Sequence, residues 1–258
     1  MTLTKEERRE ALKAVYQQAQ ACTRCPQLAS TRTTVVFGAG NADADLMFVG
    51  EAPGRTEDEQ GLPFVGRAGR LLDELLDGIG LSRSDVFICN TLLCRPPGNR
   101  DPHPAELENC QEYLLRKVEL IQPRVICTLG NFATKLLRGD PTGITRLHGR
   151  DEVRVLGRRA VRLYPIFHPA AALYTPANVE VLRQDFRRLP ELLVMDPPPQ
   201  PHVVEEPAIA APDPVEDVVP EAEALEDVVP EAEAPEAEAP ETEAEPEPVV
   251  AAEQLGLF

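Results

Sequence analysis

Two pairs of cysteines carry the most distinctive chemistry in this 258-residue chain. Cys22 and Cys25 form a C-x2-C knuckle, and Cys94 and Cys110 are separated by fifteen residues. Four soft thiolates suit either zinc or an iron–sulfur cluster. Zinc ribbons usually show two such knuckles, whereas the second pair here is spread across a loop and a helix. Cys89 and Cys127 lie inside apolar runs and read as small buried hydrophobes. No apolar run approaches 18 residues, and the chain opens TLTKEERRE rather than with a secretory leader. A cytoplasmic protein with no membrane partner is therefore expected, and in a reducing compartment metal ligation takes precedence over disulfides.

A second set of reactive side chains is divided among four short segments: Gly50-Glu51-Ala52-Pro53-Gly54, Gly61-Leu62-Pro63-Phe64-Val65-Gly66, Asn90, and His168-Pro169-Ala170-Ala171. Glu51, Glu57 and Asp58 offer carboxylates for proton transfer, and His168 an imidazole. Asn90 brings an amide that both accepts and donates, while Phe64 supplies a flat apolar face. Taken singly, each has an ordinary explanation. GEAPG serves as a strand-to-loop turn, Phe64 as core packing, Asn90 as a strand-end turn, and a lone His before Pro as a structural residue.

The elements around these segments place them together. Thr4 with Glu7 makes a capping box, and Ala11, Leu12, Ala14 and Val15 follow at helical spacing, which predicts a helix over 5–20. Apolar runs recur at 46–50, 86–90, 125–130 and 163–167, each followed by a loop and most by a helical pattern. Ala68, Leu71, Leu72, Leu75, Leu76 and Ile79 fall on one helix face, as do Leu107, Cys110, Leu114, Val118 and Ile121. This rhythm predicts a three-layer α/β/α sandwich around a four-stranded, mainly parallel sheet, with a hairpin near 152–163. Ligands bind such sheets beyond the carboxyl ends of the strands. That selects loops 51–64, 90–103, 130–132 and 168–174, which carry the side chains above.

The ordered set of segments resembles the family 4 uracil-DNA glycosylases, the iron–sulfur branch of the uracil-DNA glycosylase superfamily. The resemblance spans about residues 10–190. It rests on VVFGAGNADADLMFVGEAPGRTEDEQGLPFVGRAG, CNTLLCRPPGNRDPHP and FHPAA. It implies a DNA repair enzyme that flips uracil out of DNA and hydrolyses its N-glycosidic bond, leaving an abasic site. Glu51, Ala52, Pro53, Phe64, Asn90 and His168 would contact the base, with His168 steadying the departing anion, Asn90 reading the base edge and Glu51 activating water. Glu57 and Asp58 are alternatives to Glu51, as is attack by unassisted water on a well-formed sugar cation, because Ala52 stands where family 1 enzymes carry Asp. A 4Fe–4S cluster would be held by Cys22, Cys25, Cys94 and Cys110, pinning the N-terminal segment to the loop of Arg95 and Arg100. Leu173 would enter the duplex to fill the gap left by the base, with Tyr174 as its neighbour in register. Two other outcomes stay open: a non-enzymatic iron–sulfur lesion binder, and a covalent uracil-DNA binder. The covalent branch uses a His in an Arg-rich insert that this chain lacks around His103.

Charge divides the chain into two unlike parts. Residues 1–195 hold all 26 Lys and Arg against 24 acids, whereas 196–258 hold 19 acids and neither base. Arginines cluster in the body at 146, 150, 154, 158, 159 and 162 and again at 183, 187 and 188, a candidate phosphate track for uracil-containing DNA. From 196 to 253 the chain is Pro-rich and acidic and repeats EDVVPEAEA, a composition too poor in apolar side chains to offset its conformational entropy. It reads as a disordered tether ending in Gln254, Leu255, Gly256, Leu257 and Phe258. This QLGLF terminus resembles the peptide by which bacterial repair proteins hold the sliding clamp. The expected organisation is a glycosylase body (1–195), a tether (196–253) and a clamp-binding peptide (254–258), working as a monomer on the nucleoid.

Overall fold

Thr4 caps the first helix, α1 (Lys5–Gln20), as its side chain predicts: the Thr4 hydroxyl accepts from Glu7 N at 3.3 Å, and Thr4 N donates to Glu7 Oε2 at 2.7 Å. The fold comes from a computed structural model that describes residues 3–175 and 177–201. The expectations for the tether beyond residue 201 and for the QLGLF terminus lie outside the described residues.

Six strands follow: β1 (Ala39–Gly40), β2 (Leu46–Gly50), β3 (Phe87–Asn90), β4 (Val125–Leu129), β5 (Glu152–Leu156) and β6 (Arg159–Ile166). Their order in the sheet is β1-β3-β2-β4-β6-β5. Strands β3, β2, β4 and β6 are mutually parallel, and β1 and β5 join the two edges antiparallel. The expected four-stranded sheet is thus the centre of a six-stranded mixed one. β1 is two residues long, too short to leave an apolar run. β5 is the first arm of the predicted hairpin, and its second arm, β6, doubles as the fourth parallel strand.

The central strands are buried on both sides, and the two-residue period of a strand sends alternate side chains to two cores. Met47, Val49, Phe87, Cys89, Ile126, Val161 and Leu163 join one core, whereas Leu46, Phe48, Ile88, Cys127, Tyr164 and Ile166 join the other. The first core is covered by α1, α5 (Pro104–Ile121) and α6 (Asn131–Arg138). The second is covered by α4 (Arg67–Asp77), α8 (Pro169–Tyr174), α9 (Ala177–Arg187) and α10 (Leu189–Val194). Shorter helices α2 (Pro26–Thr31), α3 (Arg55–Gln60) and α7 (Ile144–Leu147) sit in the connections.

Past residue 195 the chain is still fastened to the body. Arg124 Nη2 donates to Met195 O at 2.6 Å. The Gln200 amide both accepts from Ala160 N at 3.0 Å and donates to Ala160 O at 2.9 Å.

Candidate base pocket and cysteine site

The ends of β2 and β3 lie side by side, with Gly50 in register with Asn90. Beyond them opens a cavity of about 190 Å³ lined by Ala52, Gly54, Glu57, Phe64, Ala68, Asn90 and His168. Gly50 has to be glycine here, because a Cβ would meet the Asn90 carboxamide oxygen and come within 2.7 Å of Phe64 Cζ. Asn90 is 2% exposed, and its Oδ1 is buried with no hydrogen-bond partner. A buried acceptor left open is costly. On a residue that lines a cavity, such an acceptor is a candidate partner for a ligand's donor.

Phe64 forms a wall of the cavity, stacked near His168 with ring centroids 5.6 Å apart and planes at 28°. Its φ of +54° lies in the left-handed region, which a bulky residue adopts only under constraint. Arg83 supplies that constraint: its guanidinium donates to Phe64 O and, at 3.0 Å, to Pro63 O, and it is itself held by Asp73 at 2.6 Å. Gly69 completes the clamp, since any Cβ there would strike the Phe64 carbonyl. Neither Arg83 nor Gly69 was marked by its sequence context, because their role depends on a turn brought to them from outside.

His168 caps α8. Its Nδ1 accepts from Ala170 N at 3.1 Å, which assigns the proton of the neutral ring to Nε2. Desolvation pushes its pKa down to about 4, only partly opposed by the field of Glu57. The ring is therefore a neutral donor at physiological pH.

The three candidate carboxylates part company. Glu57 lines the cavity, but its Oε1 accepts from Val65 N at 3.1 Å and Gly66 N at 2.8 Å, tying down the Phe64 loop. Asp58 is buried and holds the backbone of Thr33 and Thr34. The half-buried Glu51 carboxylate has no hydrogen-bond or ion-pair partner among the described residues. Burial, and then the field of Asp101, raise its pKa to about 7. Glu51 and Pro53 flank the lining residue Ala52 without lining the cavity themselves.

The four paired cysteines are all free thiols, Cys94 and Cys110 buried and Cys22 and Cys25 partly so. Among the described residues no three His, Cys, Asp or Glu side chains form a single-ion site. The sulfurs nevertheless share one neighbourhood. Burial, joined by the charges of Cys22 and Cys25, pushes the Cys94 thiol up against the opposing pull of Arg32. Burial also carries Cys110 to about 12, with Cys94 and Cys25 adding to the rise. Arg32 Nη1 donates to Cys94 Sγ at 3.2 Å and Asn109 Nδ2 to Cys25 Sγ at 3.5 Å. Donors aimed at sulfur are what a thiolate-ligated group requires around it, so this donor set fits such a group. The two unpaired cysteines, Cys89 and Cys127, are fully buried in the strands.

Comparison with known proteins accords with this geometry. The pattern of the uracil DNA glycosylase superfamily matches residues 37–189. A type-4 uracil-DNA glycosylase of Archaeoglobus fulgidus is 46% identical over 188 residues, covering 71% of this chain and 94% of that protein. Those of Thermotoga maritima (44% over 172 residues, 66% of this chain and 88% of theirs) and Sulfurisphaera tokodaii (40% over 190 residues, 72% and 86%) are also similar. The chain belongs to the type-4 uracil-DNA glycosylases.

In this type-4 family member two other expected features take a different shape. Leu173 is half-buried and packs on the core beneath α8, whereas its neighbour Tyr174 is 84% exposed. Much of the arginine cluster is engaged within the body. Arg162 and Arg188 share Asp151, Arg154 and Arg138 share Glu152, Arg183 and Arg187 share Glu180, and Arg159 donates to Gln122 O. Among the described residues the side chains of Arg55, Arg67, Arg70, Arg146 and Arg150 make no hydrogen bond or ion pair. Arg55 adjoins the lining residue Gly54 and Arg67 the lining residue Ala68 in sequence, and both arginines are exposed. In the loop between, Arg95 Nε donates to Asn99 Oδ1 at 2.6 Å, and Arg100 pairs with Glu106 at 2.6 Å and reaches Gln27 at 3.2 Å. The exposed His103 begins α5 and does not line the cavity. No helix among the described residues is long and apolar enough to cross a membrane.

Proposed function

We propose that this chain is a DNA repair glycosylase that takes uracil, flipped from DNA, into the cavity and hydrolyses its N-glycosidic bond. The observation that carries this reading is Asn90, which lines the cavity beside a neutral His168 and whose buried Oδ1 has no hydrogen-bond partner. Uracil presents an N3–H to such an acceptor. Cytosine presents a lone pair there, which would leave two acceptors opposed and both buried without a donor. Phe64 supplies the face on which a flipped base stacks.

As the C1′–N1 bond breaks, its electron pair passes to the base and charge develops on the O2 side. The Nε2 proton of His168 stabilises this charge, which is absent in the ground state; single donors of this kind contribute about 3–4 kcal/mol. Water adds to C1′ and gives a proton to Glu51, the one weighed carboxylate not committed to the backbone; the proton then passes through solvent to the uracil anion, so uracil and an abasic site result and Glu51 is again a carboxylate. Proton affinity near neutrality suits a general base. Cys22, Cys25, Cys94 and Cys110 would hold a 4Fe–4S cluster, which supplies a cross-link between the N-terminal segment and the Arg95–Arg100 loop. Arg55, Arg67, Arg70, Arg146 and Arg150 are among the cations available to phosphates, and Tyr174 is better exposed than Leu173 to fill the vacated stack.

The domain organisation extends this reading: a monomeric body at 1–195, an acidic tether at 196–253, and the QLGLF residues Gln254, Leu255, Leu257 and Phe258 holding a bacterial sliding clamp. Release of free uracil from a single-uracil oligonucleotide tests the enzyme. An intact substrate with only reversible binding would overturn it in favour of a lesion binder, and a complex surviving boiling in detergent would favour a covalent one.

A further inference from the structure

Lys117 is a buried amine in the core that the base pocket does not use, and burial works against its charge. Its side chain is fully buried, its Nζ donates to Phe37 O at 2.8 Å, and it lies 4.8 Å from the centre of the Phe37 ring. Among the described residues no carboxylate pairs with it. A buried amine held by a carbonyl, a ring and the Cys89 thiol has no carboxylate counter-charge of the kind that normally makes such burial tolerable.

Helix α5 shows where that counter-charge belongs. Lys117 and Cys110 are seven residues apart, two turns along one face, and helical side chains lean toward the helix N-terminus. The Lys117 side chain therefore leans along α5 toward the Cys110 end, with Phe37 O as its acceptor and the Cys89 thiol beside it. From the solvent side Arg32 Nη1 donates to Cys94 Sγ at 3.2 Å. Two cations thus bracket four cysteines that have no acidic neighbour in hydrogen-bond contact.

We propose that Lys117 and Arg32 balance the charge of an anionic four-thiolate iron–sulfur cluster at Cys22, Cys25, Cys94 and Cys110, and thereby govern its retention and reduction potential. This rests on the cluster reading given above. Nearby positive charge and hydrogen bonds to sulfur favour the more reduced, more negative state and raise the potential. Cys89 is the competing partner for Lys117 in the same core. Burial raises its thiol, which disfavours a thiolate there.

The test uses the full chain purified without oxygen, with iron content, midpoint potential and the rate of iron loss to a chelator as readouts. Lys117→Met and Arg32→Gln should each bind iron, shift the potential to more negative values and release iron faster; Cys89→Ala should match the wild type. Should Lys117→Met fail to fold, Arg32→Gln, at the solvent side, still decides the matter. Wild-type potential and iron release in Arg32→Gln and in any folded Lys117→Met would overturn the proposal while leaving the cluster reading intact. So would a shift in Cys89→Ala equal to that of Lys117→Met. A wild-type chain free of iron would overturn both.

Discussion

Asn90 and His168 face one cavity with complementary vacancies: Asn90 Oδ1 has no donor, and His168, whose Nδ1 is engaged by Ala170 N at 3.1 Å, carries its ring proton on Nε2. One accepts and the other donates, so a planar ring with N–H beside C=O satisfies both.

His168→Ala should lower the single-turnover rate of uracil excision by about 100- to 1,000-fold, the range for losing one preorganised donor. Asn90→Ala should act more through selectivity, narrowing the preference for uracil over cytosine. Near-wild-type turnover of both variants would remove the assignment.

The pH profile should separate the two titrating groups. With Glu51 raised to about 7 and required as the anion, the rate should climb tenfold per unit up to that value. His168, lowered to about 4, should stay neutral throughout this limb. Glu51→Gln should abolish the limb. Stability gives an independent check. The folded Glu51 pKa lies above its ordinary 4.5, so its protonated form favours the fold at low pH and this contribution is lost as pH rises toward 7. Glu51→Gln should therefore stabilise the chain at pH 8 and lose that advantage below about 4.5. His168 has the opposite sign: its depressed pKa makes stability fall as pH drops from 6.5 toward 4. A wild-type pH limb retained in Glu51→Gln would shift the base role elsewhere.

Tyr174→Ala should weaken binding to duplex containing an abasic site by about 10-fold, within the range of one stacked base. Leu173→Ala should instead lower the melting temperature, because Leu173 packs on the core. The reverse pattern, measured by fluorescence anisotropy and calorimetry, would restore Leu173 as the inserted residue.

Deleting residues 254–258 should abolish binding to a bacterial sliding clamp and leave excision from a short free oligonucleotide unchanged. Surface plasmon resonance with immobilised clamp reads the first, and persistent binding would count against the mooring role.

The pocket was legible because a parallel sheet delivers its strand-end loops to one place, so motifs distant in sequence become a site once the strands are recognised. The edges were less so: β1 has two residues, and β6 serves both hairpin and parallel core. The arginine cluster misled for a physical reason. Adjacency in sequence says nothing about partners, and Asp151 alone engages both Arg162 and Arg188. Leu173 and Tyr174 differ by one step on a short helix, which is enough to turn one toward the core and the other to solvent. Arg83 could not be recognised at all, since it acts on the carbonyl of a residue whose left-handed backbone is apparent only after folding.

The fastening of Gln200 to Ala160 sets a polarity on the whole molecule. Ala160 is the second residue of β6 and His168 follows its end, so Gln200 is held about 20 Å along the strand from the cavity end. The Gln200 carboxamide therefore closes the described chain back onto the start of the strand whose far end delivers His168.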